Sequence, residues 1–126
     1  MKKIIKTANA PEPIGPYSQA IQMGNFVFCS GQIPLDPKTN QVLTGDIKDQ
    51  TELVIKNIDG VLKEAGLDFK NVVKTTIFLT SMKDFPLVNE VYGKYFSEFP
   101  PARSTVEVSG LPKGVNVEIE VLAFKY

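Results

Sequence analysis

Apolar and polar positions alternate most clearly near the C-terminal end, where Val115, Val117, Ile119, Val121 and Ala123 interleave with Asn116, Glu118 and Glu120. A period of two predicts a strand from Val115 to Phe124 with one buried face. From Asp46 the period lengthens: Ile47, Val54, Ile58, Val61, Leu62 and Ala65 recur at helical spacings, while Lys48, Asp49, Glu52, Lys56, Asp59, Lys63 and Glu64 fill the opposite side. This predicts an amphipathic helix closed by Gly66. Gly60 inside it costs up to ~1 kcal/mol against alanine unless close packing requires the missing side chain. Val72 to Thr80 is β-branched nearly throughout and reads as a central strand. A second helix follows, with Ser81 and Asp84 as candidate caps, Pro86 in its first turn and an apolar stripe of Phe85, Val88, Tyr92, Tyr95, Phe96 and Phe99. Pro100-Pro101 should stop it.

Ahead of the first helix, short strands are predicted at Lys3 to Thr7, Ala20 to Met23 and Phe26 to Ser30, the last two joined by a two-residue turn at Gly24-Asn25. Ala102 to Val108 supplies one more. The order β-β-β-α-β-α-β-β predicts an α+β fold with both helices on one face of the sheet. Phe26, Phe28, Phe78, Leu122 and Phe124 then leave more apolar strand surface than two helices can cover. Contact between copies of the chain is the economical way to cover it.

The length of 126 residues is that of one domain, spanning 1–126, and is enough to bury a core without a disulfide or a structural metal. A lone Cys29 fits a reducing compartment, and it reads as a small buried hydrophobe more readily than as a reactive thiol. Fourteen basic and fourteen acidic side chains cancel, so no long-range attraction to a phosphate backbone is expected. The N-terminal Met1-Lys2-Lys3-Ile4-Ile5 lacks the apolar run of a signal peptide, and no stretch is long enough to span a membrane. A cytoplasmic location is expected. The sequence contains no histidine, which excludes Ser-His-Asp and Cys-His nucleophiles and histidine-built zinc sites. Chemistry near neutral pH must rest on carboxylates, arginine, lysine, tyrosine, hydroxyls or backbone groups.

Several residues fit that restricted chemistry. Arg103, among the small or branched residues of Ala102-Arg103-Ser104-Thr105-Val106, is either a planar clamp for a carboxylate or a surface arginine. Glu118 and Glu120 share one face of the last strand, as two solvated carboxylates or as a pair close enough to raise one pKa. Ser30 and Gly31 stand at a strand end, where backbone N–H groups can meet a ligand. Tyr17 follows Gly15-Pro16 as a pocket wall or a packed ring, and Asn89 faces either a site or water.

Five segments carry a resemblance: Ile14-Gly15-Pro16-Tyr17-Ser18-Gln19-Ala20, Ser30-Gly31-Gln32-Ile33-Pro34, Val88-Asn89-Glu90-Val91-Tyr92, Pro101-Ala102-Arg103-Ser104 and Val117-Glu118-Ile119-Glu120. In order and spacing, and over essentially the whole chain, the sequence resembles the RidA (YjgF) family of reactive-intermediate, or imine, deaminases. The resemblance implies a chorismate-mutase-like fold: a mixed six-stranded sheet with two helices on one face, the last strand inserted among the others, assembled as a homotrimeric barrel with clefts between subunits. It implies hydrolysis of 2-imino acids and their enamine tautomers, such as 2-aminoacrylate and 2-iminobutanoate, to 2-oxo acids and ammonia, with no cofactor and no metal. By motif, Arg103 clamps the substrate carboxylate and Glu118 positions water and handles protons, while Tyr17, Ser30, Gly31, Asn89 and Thr105 bind substrate. Thr105 stands where many members carry cysteine, so only its backbone carbonyl can replace what that residue offers. The stretch from Asn89 to Arg103 is shorter than in some relatives. Relatives have also been given regulatory, translation-inhibitor and RNA-cleaving roles, so a small-carboxylate sensor or interaction module without turnover is the alternative.

Overall fold

The computed structural model describes all residues, 1–126. Strand β1 (Lys3–Ile5) pairs antiparallel with β2 (Ala20–Met23), which turns tightly through Gly24-Asn25 into β3 (Phe26–Cys29). Gly24 takes a φ of 59°, a conformation that a hairpin of this length requires and a side chain resists. Helix α1 (Ile47–Glu64) is capped by the Asp46 side chain, which accepts from the Lys48 N–H. It buries Ile47, Val54, Ile58, Val61 and Leu62 as the period predicts. Gly66 follows at φ 77°, the left-handed position that ends such a helix.

The interior of the sheet is built from β4 (Val72–Leu79) and β6 (Val117–Phe124), with β5 (Ala102–Glu107) outside β4. The strand order is β1-β2-β3-β6-β4-β5. β6 runs antiparallel to both β3 and β4, while β4 and β5 are parallel. The last strand is therefore inserted into the middle of a mixed sheet instead of forming a hairpin with β5. The right-hand half needs a crossover to be parallel, and α2 (Phe85–Tyr95) supplies it between β4 and β5.

Both helices cover one face. Val27, Ile77, Leu79, Val117, Ile119 and Ala123 are completely buried beneath them with Val54, Ile55, Val61, Leu62 and Val88. The opposite face carries Phe26 and Phe28 at 43% and 47% exposure, with Leu122, Phe124, Phe78 and Val106. The Phe26 and Phe124 rings meet edge-on with centroids 5.0 Å apart, so this face is an organised aromatic surface.

Some predicted element limits move. The first strand ends at Ile5, and β6 begins at Val117 because Pro112–Gly114 forms a 3₁₀ turn. Ser81 caps a 3₁₀ turn at Met82–Asp84, and Asp84 makes no side-chain cap bond to α2. The apolar stripe also ends early: α2 stops at Tyr95, and Phe99, at φ 49° and 90% exposed, lies beyond it. Pro100 disfavours the helical conformation for the residue before it, so Phe99 cannot continue the stripe.

Candidate active site

A cavity of about 460 Å³ opens beside β6, with Glu118 on one wall. Tyr17, Ser30 and Gly31 also line it, together with Lys113. Its shape follows from two backbone ties. Gln32 exchanges hydrogen bonds with Ile119, donating at 2.9 Å and accepting at 3.1 Å, and this lays the segment after β3 across the start of β6. Ser30 donates its hydroxyl to the Ser18 carbonyl at 2.6 Å and its N–H to the Gln19 carbonyl at 2.9 Å. Ser30 is therefore a fastener for the Tyr17 loop, and its proton is already committed.

Glu118 is half-buried, and burial pushes its carboxyl pKa above the usual value, with the negative charge of Glu120 adding to the rise. Such a group gains a larger protonated fraction near neutrality and can both give and take a proton. Arg103 does not oppose this shift, because the two lie on opposite faces of the sheet. Arg103 is in register with Thr75 and Glu118 with Phe78; side chains in register share a face, and Thr75 and Phe78 are three residues apart. Thr75 is completely buried under the helices, whereas Phe78 and Glu118 belong to the open side.

Arg103 forms a second cluster, on the helix side of the edge strand. Its Nη1 donates to Asn89 Oδ1 at 2.7 Å, and its Cζ stands 5.0 Å from the Tyr92 ring centroid and 5.2 Å from that of Phe85. Thr105, half-buried, projects to the same side two positions along. The guanidinium is exposed, with a carboxamide at one end and aromatic rings beside it. This is an arrangement that leaves donors free for an anion.

The residues singled out from the sequence thus fall into two groups within one chain: Tyr17, Ser30, Gly31 and Glu118 around the cavity, and Asn89, Arg103 and Thr105 at the far edge. Cys29 stays out of both. It is buried, and burial pushes its thiol up to about 12, which leaves it unreactive as a nucleophile. No group of three or more His, Cys, Asp or Glu side chains is placed to hold a metal ion.

Two positioning residues were not apparent from the chain. Gln19 is buried, and its Nε2 donates to the Thr7, Ala10 and Pro11 carbonyls while its Oε1 accepts from the Thr7 N–H at 2.7 Å. One side chain thereby folds the proline-rich loop that ends in Tyr17. Asn57, buried on α1, similarly donates to the Ile33 and Leu35 carbonyls. An amide set among Val54, Ile55, Ile58 and Val61 on the buried side of the helix is the signal that could have found it.

Comparison with known proteins bears on the whole chain. The family model described as Endoribonuclease L-PSP matches residues 7–125. A RutC family protein of Pyrococcus horikoshii is 57% identical over 99% of this chain and 99% of its own. A mouse protein named 2-iminobutanoate/2-iminopropanoate deaminase is 46% identical over 98% of this chain and 91% of its own. Among solved structures, a protein of unknown function from Yersinia pestis, assigned to the conserved Rid family, superposes with a TM-score of 0.96 at 52% identity, covering 98% of this chain and 99% of that one.

Proposed function

The chain belongs to the RidA (YjgF) family, and on that premise we propose that it is a hydrolytic deaminase, converting reactive 2-imino acids and their enamine tautomers to 2-oxo acids and ammonia. The imino acids of three and four carbons, 2-iminopropanoate and 2-iminobutanoate, are the substrates suggested by the name of the mouse relative. The observation that carries the reading is the division of the polar residues into two incomplete halves, an exposed arginine on one side and a proton-exchanging glutamate in a cavity on the other. Each half lacks what the other holds.

A homotrimer joins the halves between copies. The aromatic open face supports such an assembly, since it is too apolar to remain in water without cost. In the proposed cleft Arg103 of one subunit anchors the substrate carboxylate, with Asn89 and Thr105 beside it. The neighbouring copy contributes Glu118, Gly31, Ser30 and Tyr17. The location we assign is the cytoplasm, in keeping with the single reduced thiol.

The chemistry asks little of the protein, because an imine carbon is already electrophilic. Glu118 as carboxylate takes a proton from water while the oxygen bonds to C2 and the C=N π pair moves to nitrogen, and the nitrogen then takes that proton from Glu118, leaving it a carboxylate again. The carbinolamine then collapses: Glu118 takes the hydroxyl proton and passes it to nitrogen, the C–N bond breaks, ammonia leaves with that bond's electron pair, and the C=O bond forms. One water is consumed and one ammonia released, with no change of oxidation state. An enamine first accepts a proton at C3. Orientation of three groups and one matched carboxyl account for the acceleration.

The test is ammonia release while a pyridoxal-phosphate dehydratase generates imino acid from serine or threonine. The protein should accelerate it and Arg103→Ala should abolish the acceleration. Undiminished activity in that variant, or none in the parent, overturns the assignment. Binding of a 2-oxo acid without turnover would instead make the protein a sensor. RNA cleavage has the description of the family model in its favour. Zero net charge and the lack of histidine weigh against it.

A further inference from the structure

Phe85, Asn89 and Tyr92 occupy positions i, i+4 and i+7 of α2, one helical stripe, and all three converge on Arg103. The Tyr92 hydroxyl shares a hydrogen bond of 2.7 Å with Thr75 Oγ1, and both groups are buried. Thr75 is in turn the register partner of Arg103 on the adjacent parallel strand. The arginine's backbone is thus fixed through β4, and its side chain stands beside two rings, of which that of Tyr92 is tied to the same residue of β4.

We infer that Tyr92 and Phe85 are positioning residues: they set the plane of the Arg103 guanidinium, and through it the plane of the bound substrate. The inference rests on Arg103 being the carboxylate anchor. A carboxylate held bidentately lies in the plane of the guanidinium. In a 2-imino acid the C=N bond is conjugated with the carboxylate and prefers the same plane. Holding the guanidinium therefore orients the reacting carbon, so that one face of the imine is turned toward water and the partner copy's acid–base group. Asn89 adds the rotation that the rings leave free, since it engages one end of the fork. An arginine without these supports would carry most of its rotamer freedom into the complex.

The alternative is that the rings merely pack against the arginine stem. The two are separated by titrating 2-oxobutanoate, an unreactive planar product, and by measuring kcat and KM for ammonia release in Tyr92→Leu, Phe85→Leu, Tyr92→Phe and Arg103→Ala. Loss of one ring should weaken 2-oxobutanoate binding about 3- to 10-fold, and should lower kcat by about 10-fold or more through misorientation. The Arg103 side-chain protons, shifted upfield by the ring currents, should move back toward their free positions. Tyr92→Phe keeps the ring and should restore most of the binding and the proton shifts. If Arg103→Ala abolishes binding while both leucine variants bind and turn over like the parent, the positioning role is overturned and the anchor stands. If Arg103→Ala itself binds and turns over normally, the anchor falls and the inference with it. Should Tyr92→Leu fail to fold, Phe85→Leu decides, because the Phe85 ring is only partly buried.

Discussion

Gly31 stands against Glu118 so closely that a side chain at that position has no space: a Cβ there would lie 2.8 Å from Glu118 Cδ and 3.0 Å from its Cγ, and closer still to Oε2. The contact exists because the Gln32–Ile119 bridge lays this segment over the start of β6. Gly31 is needed for its lack of a side chain and not for an unusual backbone angle, since its φ is not positive.

Gly31→Ala should therefore displace the Glu118 carboxyl while leaving the fold intact, because the atoms it meets belong to a side chain and not to backbone. Ammonia release is expected to fall by roughly 100-fold, the scale of a misplacement of about 1 Å. The melting temperature should change little. Parent-like activity would remove Glu118 from the proton-transfer role or show that its position is unimportant.

Gln19 makes a different kind of contribution, holding the loop that carries Tyr17. Gln19→Leu deletes four hydrogen bonds and leaves buried carbonyls of Ala10 and Pro11 without that donor. A loss of about 3 kcal/mol is expected, since the three Nε2 bonds share two N–H groups and each full bond is worth ~1 kcal/mol, read from the denaturant midpoint at unchanged slope. A loss below about 1 kcal/mol would mean that the loop is held by other contacts.

Two helical glycines should respond in opposite directions. A Cβ on Gly60 would fall 2.5 Å from the Asn9 carbonyl oxygen and 3.0 Å from its carbon, so Gly60→Ala presses on backbone and should cost ~1–3 kcal/mol despite better helix propensity. Gly93 on α2 has nothing within 4 Å of the same position, and Gly93→Ala should gain up to ~1 kcal/mol. Thermal melts of the pair measure both signs.

These glycines show where the chain could be read and where it could not. Periodicity located α1 and β6, and β-branched composition located β4, because each has one apolar face against a common core. It also flagged Gly60 as a residue requiring an explanation, and Asn9 provides one. Face assignments within each strand were legible too: Arg103 with Thr105, and Glu118 with Glu120. The relationship between those faces was not, because it depends on β5 pairing parallel to β4 and β6 entering on the other side, both long-range choices without a local signature. Phe99 misled for a related reason: its spacing continued the stripe of α2, but the helix had already ended. The roles of Gln19 and Tyr92 likewise depend on partners that folding brings together.

The carboxyl of Glu118 predicts a pH dependence. Burial, then Glu120, raises its pKa above the ordinary 4.5, so the native state retains a proton that the unfolded chain has released. Stability therefore falls as pH rises from about 4.5 through the raised native value, and the contribution vanishes below that window, where both states are protonated. The comparison belongs in the Arg103→Ala background, where no guanidinium from another copy can offset burial. There, adding Glu118→Gln should leave the melting temperature nearly unchanged at about pH 3.5 and raise it at pH 8. A difference that is constant across the range would contradict a raised pKa.

Placing Arg103 and Glu118 on opposite faces yields the most discriminating test of the composite site. Neither Arg103→Ala nor Glu118→Gln should support ammonia release alone, since in the proposed trimer every cleft of a single variant lacks one group. When the two variants are denatured together in equal amounts and refolded, each cleft takes its arginine from one copy and its glutamate from the next. Random assortment gives both native residues to about one cleft in four, so about a quarter of the parent activity should return. Clefts built within a single chain would recover nothing on mixing. A third sample separates this outcome from failed assembly: Phe28→Lys, on the open aromatic face, should yield a species of one chain's mass, 13.9 kDa, with both site residues present and no activity. Activity in that monomer would place the chemistry within one chain and refute the shared cleft.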